Sequence, residues 1–210
     1  MIRKKTKRKK WKRIIFLVLI GIITLISVIL LVNILIREKF ELTKKQKETL
    51  IIFFPEEHIS HLSFYKGGLF SVGSTKVICS SIYFRDKSYW DKFFFNEPNN
   101  KHSLELLVHE VTHTWQARKG CFKMSFSAVY HQFTSFLKYG SRNYAYHYSL
   151  DDNIEDLNPE QEASIIQDFY SLAFQNLSRL VLCKDCPDPI DKTTFEKMKN
   201  KAEKIIEKYR

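Results

Sequence analysis

A chain of 210 residues with a formal net charge of +11 has room for one ordinary domain and an attached segment. The charge is unevenly distributed: residues 1–13 contain nine lysines and arginines and no acidic residue, and subtracting these nine from +11 leaves +2 for the other 197 residues. The positive charge therefore belongs to an N-terminal tail and not to a domain surface, which argues against a nucleic-acid-binding protein.

The basic tail is followed by 23 uncharged and mostly apolar residues, 14–36. As an α-helix rising ~1.5 Å per residue, this segment would be roughly 35 Å long, enough to cross the ~30 Å hydrocarbon core of a bilayer. A cleaved signal peptide would have a shorter apolar core, of roughly 7–15 residues, followed by a cleavage site of small residues. We therefore predict a single-pass transmembrane helix. The basic tail, residues 1–13, should stay in the cytoplasm.

This orientation places the remainder of the chain outside the cytoplasm, in the periplasm or the extracellular space. Residues 37–50 are strongly charged, and we assign them to a stalk, with the first helix of the domain as the alternative. Residues 51–210 then form the domain.

The chain has four cysteines, an even number that suits disulfides in an oxidising compartment. Cys183 and Cys186 are near enough in sequence to close a small loop, which would leave Cys79 to pair with Cys121.

Three short apolar runs rich in β-branched and aromatic residues follow the stalk. They are LIIFF before Pro55, HLSFYKGGLF with its Gly67-Gly68 turn, and TKVICSSIYF. Runs of this kind predict a small antiparallel sheet. Residues 95–101, FNEPNNK, are typical of a loop.

A helix is predicted from Ser103, as its N-cap, to Gly120. In its centre, His109 and His113 are one turn apart and Glu110 follows the first histidine. Both histidines lie nearly opposite the main apolar face but beside other apolar residues, so we expect a central helix with the histidines facing a lined cavity. The main apolar face consists of Leu104, Leu107, Val108, Val111 and Trp115.

The HExxH pattern is typical of zinc peptidases, because imidazoles at positions i and i+4 can bind one Zn²⁺ ion. The intervening glutamate, here Glu110, can act as the general base toward a water whose pKa the zinc lowers to about 7. The competing interpretation is a pair of hydrogen-bonded histidines, His109 and His113, on a core helix.

Further helices follow along the chain. Residues 122–139 predict an amphipathic helix. A second helix has strong start signals, with Asn158 as N-cap and Pro159 at the first position. The charged amphipathic C-terminal helix, 193–210, is interpreted as a solvated face and not as a binding motif.

A zinc site of this type needs a third protein ligand. The metzincin pattern is excluded, because it requires glycine at 116 and histidine at 119, where this chain has Gln116 and Lys119. A glutamate from a later helix is the other solution. Glu160 and Glu162 both lie at the start of such a helix, and the apolar periodicity favours Glu162.

The segments HEVTHTWQ, YAYHYSL and DLNPEQEASIIQDFY resemble a group of bacterial zincin-like zinc metallopeptidases, which are often encoded beside Rhs and Vgr secretion components. The pattern of that group is roughly HExTHxWQ, then YxYxL, then NxEQQAxIIxDY. The resemblance covers about residues 65–171 and excludes the basic tail and the transmembrane helix.

The resemblance implies a zincin-like α+β fold with a central HExxH helix, a small antiparallel sheet and a following helix that carries the third zinc ligand. It places that ligand at Glu160, and the Glu-x-x-Ala spacing is similar to that of membrane-bound gluzincins. Those proteins continue with an aspartate where this chain has Ser164. The carboxylate that would orient a ligand histidine is thus missing there, and Asp168 is the candidate to replace it.

Three residues of the tyrosine-rich segment, Tyr144, Tyr146 and His147, are candidates to donate a hydrogen bond to an oxyanion, with simple packing as the alternative.

The sequence therefore predicts a membrane-anchored zinc metallopeptidase that hydrolyses peptide or protein substrates, with His109, His113 and Glu160 as zinc ligands and Glu110 as the catalytic base. The alternative is a non-catalytic zincin-like binding or assembly module at the membrane, such as one linked to a secretion system. A weaker third hypothesis is a secreted-type toxin or processing factor. No partner besides substrate and membrane is indicated, and oligomeric state is left open.

Overall fold

The structure, a computed structural model, describes residues 2–68, 75–85, 95–141, 145–175, 180 and 182–210. Within them the chain forms seven α-helices and four strands, a mixed α+β architecture. The strands are β1 (Arg37–Phe40), β2 (Ser63–Gly67), β3 (Lys76–Ile78) and β4 (Ser81–Phe84). The helices are α1 (Ile2–Ile36), α2 (Lys44–Ile51), α3 (Glu56–Ser60), α4 (Lys101–Gln116), α5 (Cys121–Tyr139), α6 (Pro159–Gln175) and α7 (Lys192–Lys208).

Helix α1 contains the predicted apolar segment. Residues Ile15–Ile36 have a mean hydropathy of 3.3, and this part of the helix is long and apolar enough to cross a membrane. Near its end, Asn33 is only 1% exposed. It lies against Gly68, where an added Cβ would come within 2.7 Å of the Asn33 Oδ1 atom. The last turns of α1 therefore contact the domain directly.

The sheet has the strand order β1-β2-β4-β3. The pairs β1–β2 and β3–β4 are antiparallel, whereas β2 and β4 are parallel, with Ser63 opposite Ser81. The prediction of an antiparallel sheet is wrong for this central pair. Strands β3 and β4 form an antiparallel hairpin. Its second strand, β4, lies next to β2 and runs in the same direction, which gives the sheet one parallel pair.

The charged segment 37–50, assigned from its composition to a stalk, packs on the domain. Residues Arg37–Phe40 form the edge strand β1, whose two middle residues are exposed, and charged side chains are common on such edges because they discourage further pairing. Helix α2 starts with a capping box between Thr43 and Gln46. It ends with Leu50 fully buried.

The apolar run LIIFF, predicted as a strand, is instead the end of α2 and the turn after it. Leu50, Phe53 and Phe54 are all buried there. Short apolar runs do not distinguish a strand from a buried helix end, because both bury every side chain that can reach the core.

Helix α4 is central, as predicted, and contacts α2, α5, α6 and the strands β3 and β4. Its main apolar face is buried as expected, each side chain being at most 2% exposed: Leu104, Leu107, Val108, Val111 and Trp115. Helix α7 covers the same core, and the Trp115 indole donates a hydrogen bond to the Ile206 carbonyl at 2.9 Å. The C-terminal helix is thus only partly the solvated face that its charge indicated.

Candidate metal centre

Helix α4 places both histidines of the HExxH motif on one side. It begins earlier than predicted, since Asn100 is the N-cap and its side chain accepts a hydrogen bond from the His102 backbone amide at 3.0 Å. Ser103, the predicted N-cap, lies inside the helix, and its hydroxyl donates to the Glu97 carbonyl. The helical phase is the same for both starts, so His109 and His113 remain one turn apart.

Helix α6 carries the third acidic group. As predicted, Asn158 caps it, because its side-chain oxygen accepts hydrogen bonds from the Glu160 and Gln161 amides at 2.9 and 3.1 Å. Pro159 occupies the first helical position. Glu160 therefore projects from a first turn whose backbone is already fixed, toward α4.

Three potential ligand atoms converge between α4 and α6. The Glu160 Oε2 atom lies 3.3 Å from His109 Nε2 and 3.1 Å from His113 Nε2, and one ligand atom from each residue lies within 4.8 Å of the others. Ligands at about 2.1 Å around a tetrahedral zinc ion would be separated by about 3.4 Å, close to the two measured distances. The arrangement can hold a metal ion.

The group is also shielded from water. His109, His113 and Glu160 are 6%, 6% and 4% exposed, and Glu110 is 9% exposed. Burial alone disfavours charge, and it raises the pKa of Glu110, although the neighbouring histidines partly oppose this shift. A raised pKa makes a carboxylate a stronger base, which is the direction that a general base requires.

Glu160 and His113 each favour the charged form of the other. Burial lowers the pKa of His113, but the Glu160 carboxylate overrides it and raises this pKa to about 9. Burial likewise opposes ionisation of Glu160, and the two histidines nevertheless hold its pKa well below its usual range. A buried carboxylate between two imidazoles is the charge arrangement that a divalent cation would complete.

Glu162, favoured by periodicity alone, lies in a different hydrogen-bond network. Its carboxylate accepts bonds from Gln116 Nε2 at 2.8 Å, Lys208 Nζ at 2.9 Å and the Tyr209 hydroxyl at 2.8 Å. Glu162 is buried, as its periodicity predicted, but it points to the C-terminal end of α7 and not to the histidines. Of the two glutamates, Glu160 is the one brought to the metal-binding group.

Two glutamines contact the group and were missed by sequence reasoning. The Gln116 Oε1 atom accepts a hydrogen bond from His113 Nδ1 at 2.8 Å, and Gln132 Nε2 donates to Glu160 Oε1 at 2.6 Å. Gln116 follows His113 by three residues on the same helix face, so its spacing could have revealed it. Gln132 comes from α5, and no local pattern relates it to the site.

In the described part of the chain, neither Ser164 nor Asp168, the two positions considered for a group that orients a ligand histidine, forms a hydrogen bond to His109 or His113. The Ser164 hydroxyl donates to the Glu160 carbonyl at 2.8 Å, and Asp168 accepts from the Tyr148 hydroxyl at 2.6 Å. Among the described residues, His109 Nδ1 is buried without a hydrogen-bond partner. Burial raises the pKa of Asp168 to about 7.

Of the candidate oxyanion donors, Tyr146 lies beside the metal-binding group. Its ring is 5.8 Å from the His109 ring, and its hydroxyl accepts a hydrogen bond from Gln132. The backbone carbonyl of His147 accepts a bond from Gln161, which anchors the segment to α6. Tyr144 lies outside the described residues.

Comparisons of the chain with protein families, curated proteins and solved structures give no match. The class of protein is thus defined by its own features: an α+β domain with a buried His-His-Glu group that can hold a metal ion, joined to a helix that is long and apolar enough to cross a membrane.

Proposed function

We propose that this chain is a membrane-anchored zinc metallopeptidase. The observation that carries the proposal is the convergence of His109 Nε2, His113 Nε2 and Glu160 Oε2 beside Glu110. Two imidazoles and one carboxylate are a donor set found in catalytic zinc sites, which keep a fourth position for water or substrate. The resemblance of the HEVTHTWQ and NPEQEA segments to bacterial zincin-like peptidases supports the same assignment.

Each of these residues would have a separate role in peptide hydrolysis. His109, His113 and Glu160 hold the ion, which when bound supplies Lewis acidity and lowers the pKa of water. Glu110 takes the proton of the water that attacks the peptide carbonyl. Gln116 would orient His113 by accepting a hydrogen bond from the Nδ1 atom of that histidine, and Gln132 would orient Glu160 by donating a hydrogen bond to its carboxylate.

Helix α1 would anchor the domain, with the basic residues 1–13 in the cytoplasm and residues 37–210 outside it. The positive-inside rule supports this orientation. Both disulfides, Cys79–Cys121 and Cys183–Cys186, agree with the pairing considered above and are compatible with an oxidising compartment.

The test is to measure zinc content and peptide hydrolysis on the full chain in nanodiscs, with Glu110→Gln, His113→Ala and the exposed control Glu203→Gln. We expect one zinc ion per chain, lost in His113→Ala and retained in Glu110→Gln. Hydrolysis should fall by roughly 10²–10⁴-fold in Glu110→Gln, the usual contribution of a general base. The control should match the wild type in both measurements.

A second candidate is a non-catalytic binding or assembly module with the same metal group. The observation that favours it is His109, whose buried Nδ1 atom lacks a partner among the described residues, because ligand histidines in zinc enzymes are usually oriented by such a bond. Zinc binding without hydrolysis of any member of a broad peptide library would support this module. A chain that binds no zinc would refute both candidates.

A further inference from the structure

Helix α5 exposes an unusual number of large apolar side chains. Six of them are between 49% and 74% exposed: Phe126, Tyr130, Phe133, Phe136, Leu137 and Tyr139. Isolated exposed apolar residues are normal on soluble domains, but a continuous exposed patch marks a surface that contacts something else.

Four of these residues form one stripe. Phe126, Tyr130, Phe133 and Leu137 are spaced by four, three and four positions, and at 100° per residue they fall within about 60° of one another. We call these four side chains the aromatic stripe. The opposite side of the helix faces the domain, where Met124 is buried. The helix is thus packed on one side, with its apolar stripe on the other.

The position of α5 is held by covalent and polar contacts. Its first residue, Cys121, is joined by a disulfide to Cys79 at the β3–β4 turn. Gln132, on the inward side, donates to Glu160 Oε1. The exposed stripe is therefore a surface of a fixed helix that also borders the metal-binding group.

The positive charge of α5 favours contact with an anionic surface. The helix contains Lys123 and Lys138, both exposed, and no aspartate or glutamate. The short 3₁₀ helix just before it adds Arg118 and Lys119. A helix with an aromatic face and flanking lysines, free of acidic residues, has the composition of interfacial helices that bind anionic bilayers.

The connection to α1 keeps this surface near a membrane. Strand β1 starts at Arg37, directly after the last residue of α1, and Asn33 of α1 is buried against Gly68 of the domain. A domain of this size is roughly 40 Å across, so with no linker every part of its surface stays within about that distance of the bilayer. The bilayer is thus the one apolar partner that the chain itself would keep close to α5.

We propose that the aromatic stripe of α5 lies at the boundary between the headgroups and the acyl chains of the bilayer that α1 spans. This inference rests on the anchoring part of the proposed function and is independent of catalysis. Because α5 borders the metal-binding group through Gln132, this position would also bring that group close to the membrane surface.

The test is spin-label accessibility on the full chain, one copy per nanodisc, in bilayers containing anionic lipid. A nitroxide is attached at Phe133→Cys, with Glu203→Cys on α7 as the exposed control, both native disulfides being left oxidised. We expect high access to oxygen and low access to a water-soluble nickel complex at position 133, and the reverse at position 203. Removing the anionic lipid should weaken the difference.

Two other outcomes at position 133 would overturn the inference. Accessibility equal to that at 203 would mean that the stripe lies in water, and low access to both oxygen and nickel would mean that it is covered by protein. A label at Val28→Cys separates this failure from failure of the anchor. If position 28 is in lipid and 133 is not, only the stripe assignment fails; if position 28 is in water, the anchoring fails as well.

Discussion

His113 is held from two sides, and this determines which of its nitrogens can bind a metal. Its Nδ1 proton is donated to Gln116 Oε1, which leaves Nε2 facing Glu160 Oε2. Gln116 is itself fixed, because its amide nitrogen donates to Pro159 O and to Glu162 Oε2. The network therefore supports one orientation of the imidazole before any ion binds.

We predict that Gln116→Ala lowers zinc affinity by roughly 10–100-fold, since the imidazole loses the acceptor that orients it. Titration against a competing chelator measures the affinity of the full chain. The matched control is Gln167→Ala, on the same helix as Glu160 but seven residues further along. Equal affinities in wild type and Gln116→Ala would show that the hydrogen bond contributes nothing to the site.

The side chain of His58, on α3, contacts helix α4. Its Nε2 atom is 2.9 Å from the Thr114 hydroxyl oxygen, and its ring lies edge-on to Trp115 at 4.8 Å. The Thr114 hydroxyl donates to Val111 O, so it accepts from a neutral His58. Burial, together with the smaller effects of the nearby Arg118 and His61 charges, lowers the pKa of His58 to about 4.

The sign of the resulting pH dependence follows from this shift. In the unfolded state, His58 binds a proton below the ordinary histidine pKa of about 6.5, whereas in the folded state it binds this proton only near its lowered pKa of about 4. The free energy of unfolding should therefore fall as the pH falls from about 6.5 to about 4. Denaturant titrations across this range should show a smaller fall in His58→Gln, while His131→Gln behaves as the wild type. An unchanged slope in His58→Gln would contradict the assignment.

At the scale of elements, α7 closes the core behind the HExxH helix. Met198, Ala202 and Ile205 are fully buried on its inner face. At its C-terminal end, Lys208 and Tyr209 donate hydrogen bonds to Glu162. Helix α7 thus stabilises the domain by burial and also holds the glutamate that fixes Gln116.

We expect Ile205→Ala to lower the free energy of unfolding by about 2–5 kcal/mol, because the deleted methyl groups leave a cavity in a packed core. Glu203→Ala, two residues away on the exposed side, should change it by less than about 0.5 kcal/mol. Chemical denaturation of both variants provides the comparison. Similar effects for the two substitutions would mean that α7 is not packed as described.

At the scale of the whole molecule, two disulfides close loops of very different length. Cys79–Cys121 joins the sheet to α5 across 42 residues, whereas Cys183–Cys186 spans only three. Cross-links stabilise mainly by restricting the unfolded chain, and the restriction grows with loop length.

Replacing Cys79 and Cys121 by serine should therefore lower the free energy of unfolding by about 4 kcal/mol, and replacing Cys183 and Cys186 by about 2 kcal/mol. Denaturant titrations of the two double variants, each under non-reducing conditions, measure the difference. A larger loss in the Cys183 and Cys186 variant would show that native contacts and not loop length dominate.

Much of the architecture could be predicted from the chain alone, because it depends on local patterns. The apolar length of α1 and the Asn158-Pro159 start of α6 are signals contained in a few consecutive residues. The apolar face of α4 is equally local, since a period of 3.6 residues determines which side chains share a face. The position of the two histidines opposite that face follows from the same period.

The choice between Glu160 and Glu162 depended on the tertiary structure. Both residues are buried, so the periodicity that favoured Glu162 predicted its burial but not which of the two glutamates faces the histidines. Glu162 is directed elsewhere by Lys208 and Tyr209, almost fifty residues later in the chain, and Glu160 is held in place by Gln132 from α5. The parallel pairing of β2 with β4 also depended on the tertiary structure, because it results from the position at which the β3–β4 hairpin pairs with β2. Local periodicity determined which side chains are buried, and contacts between distant segments decided what each of them faces.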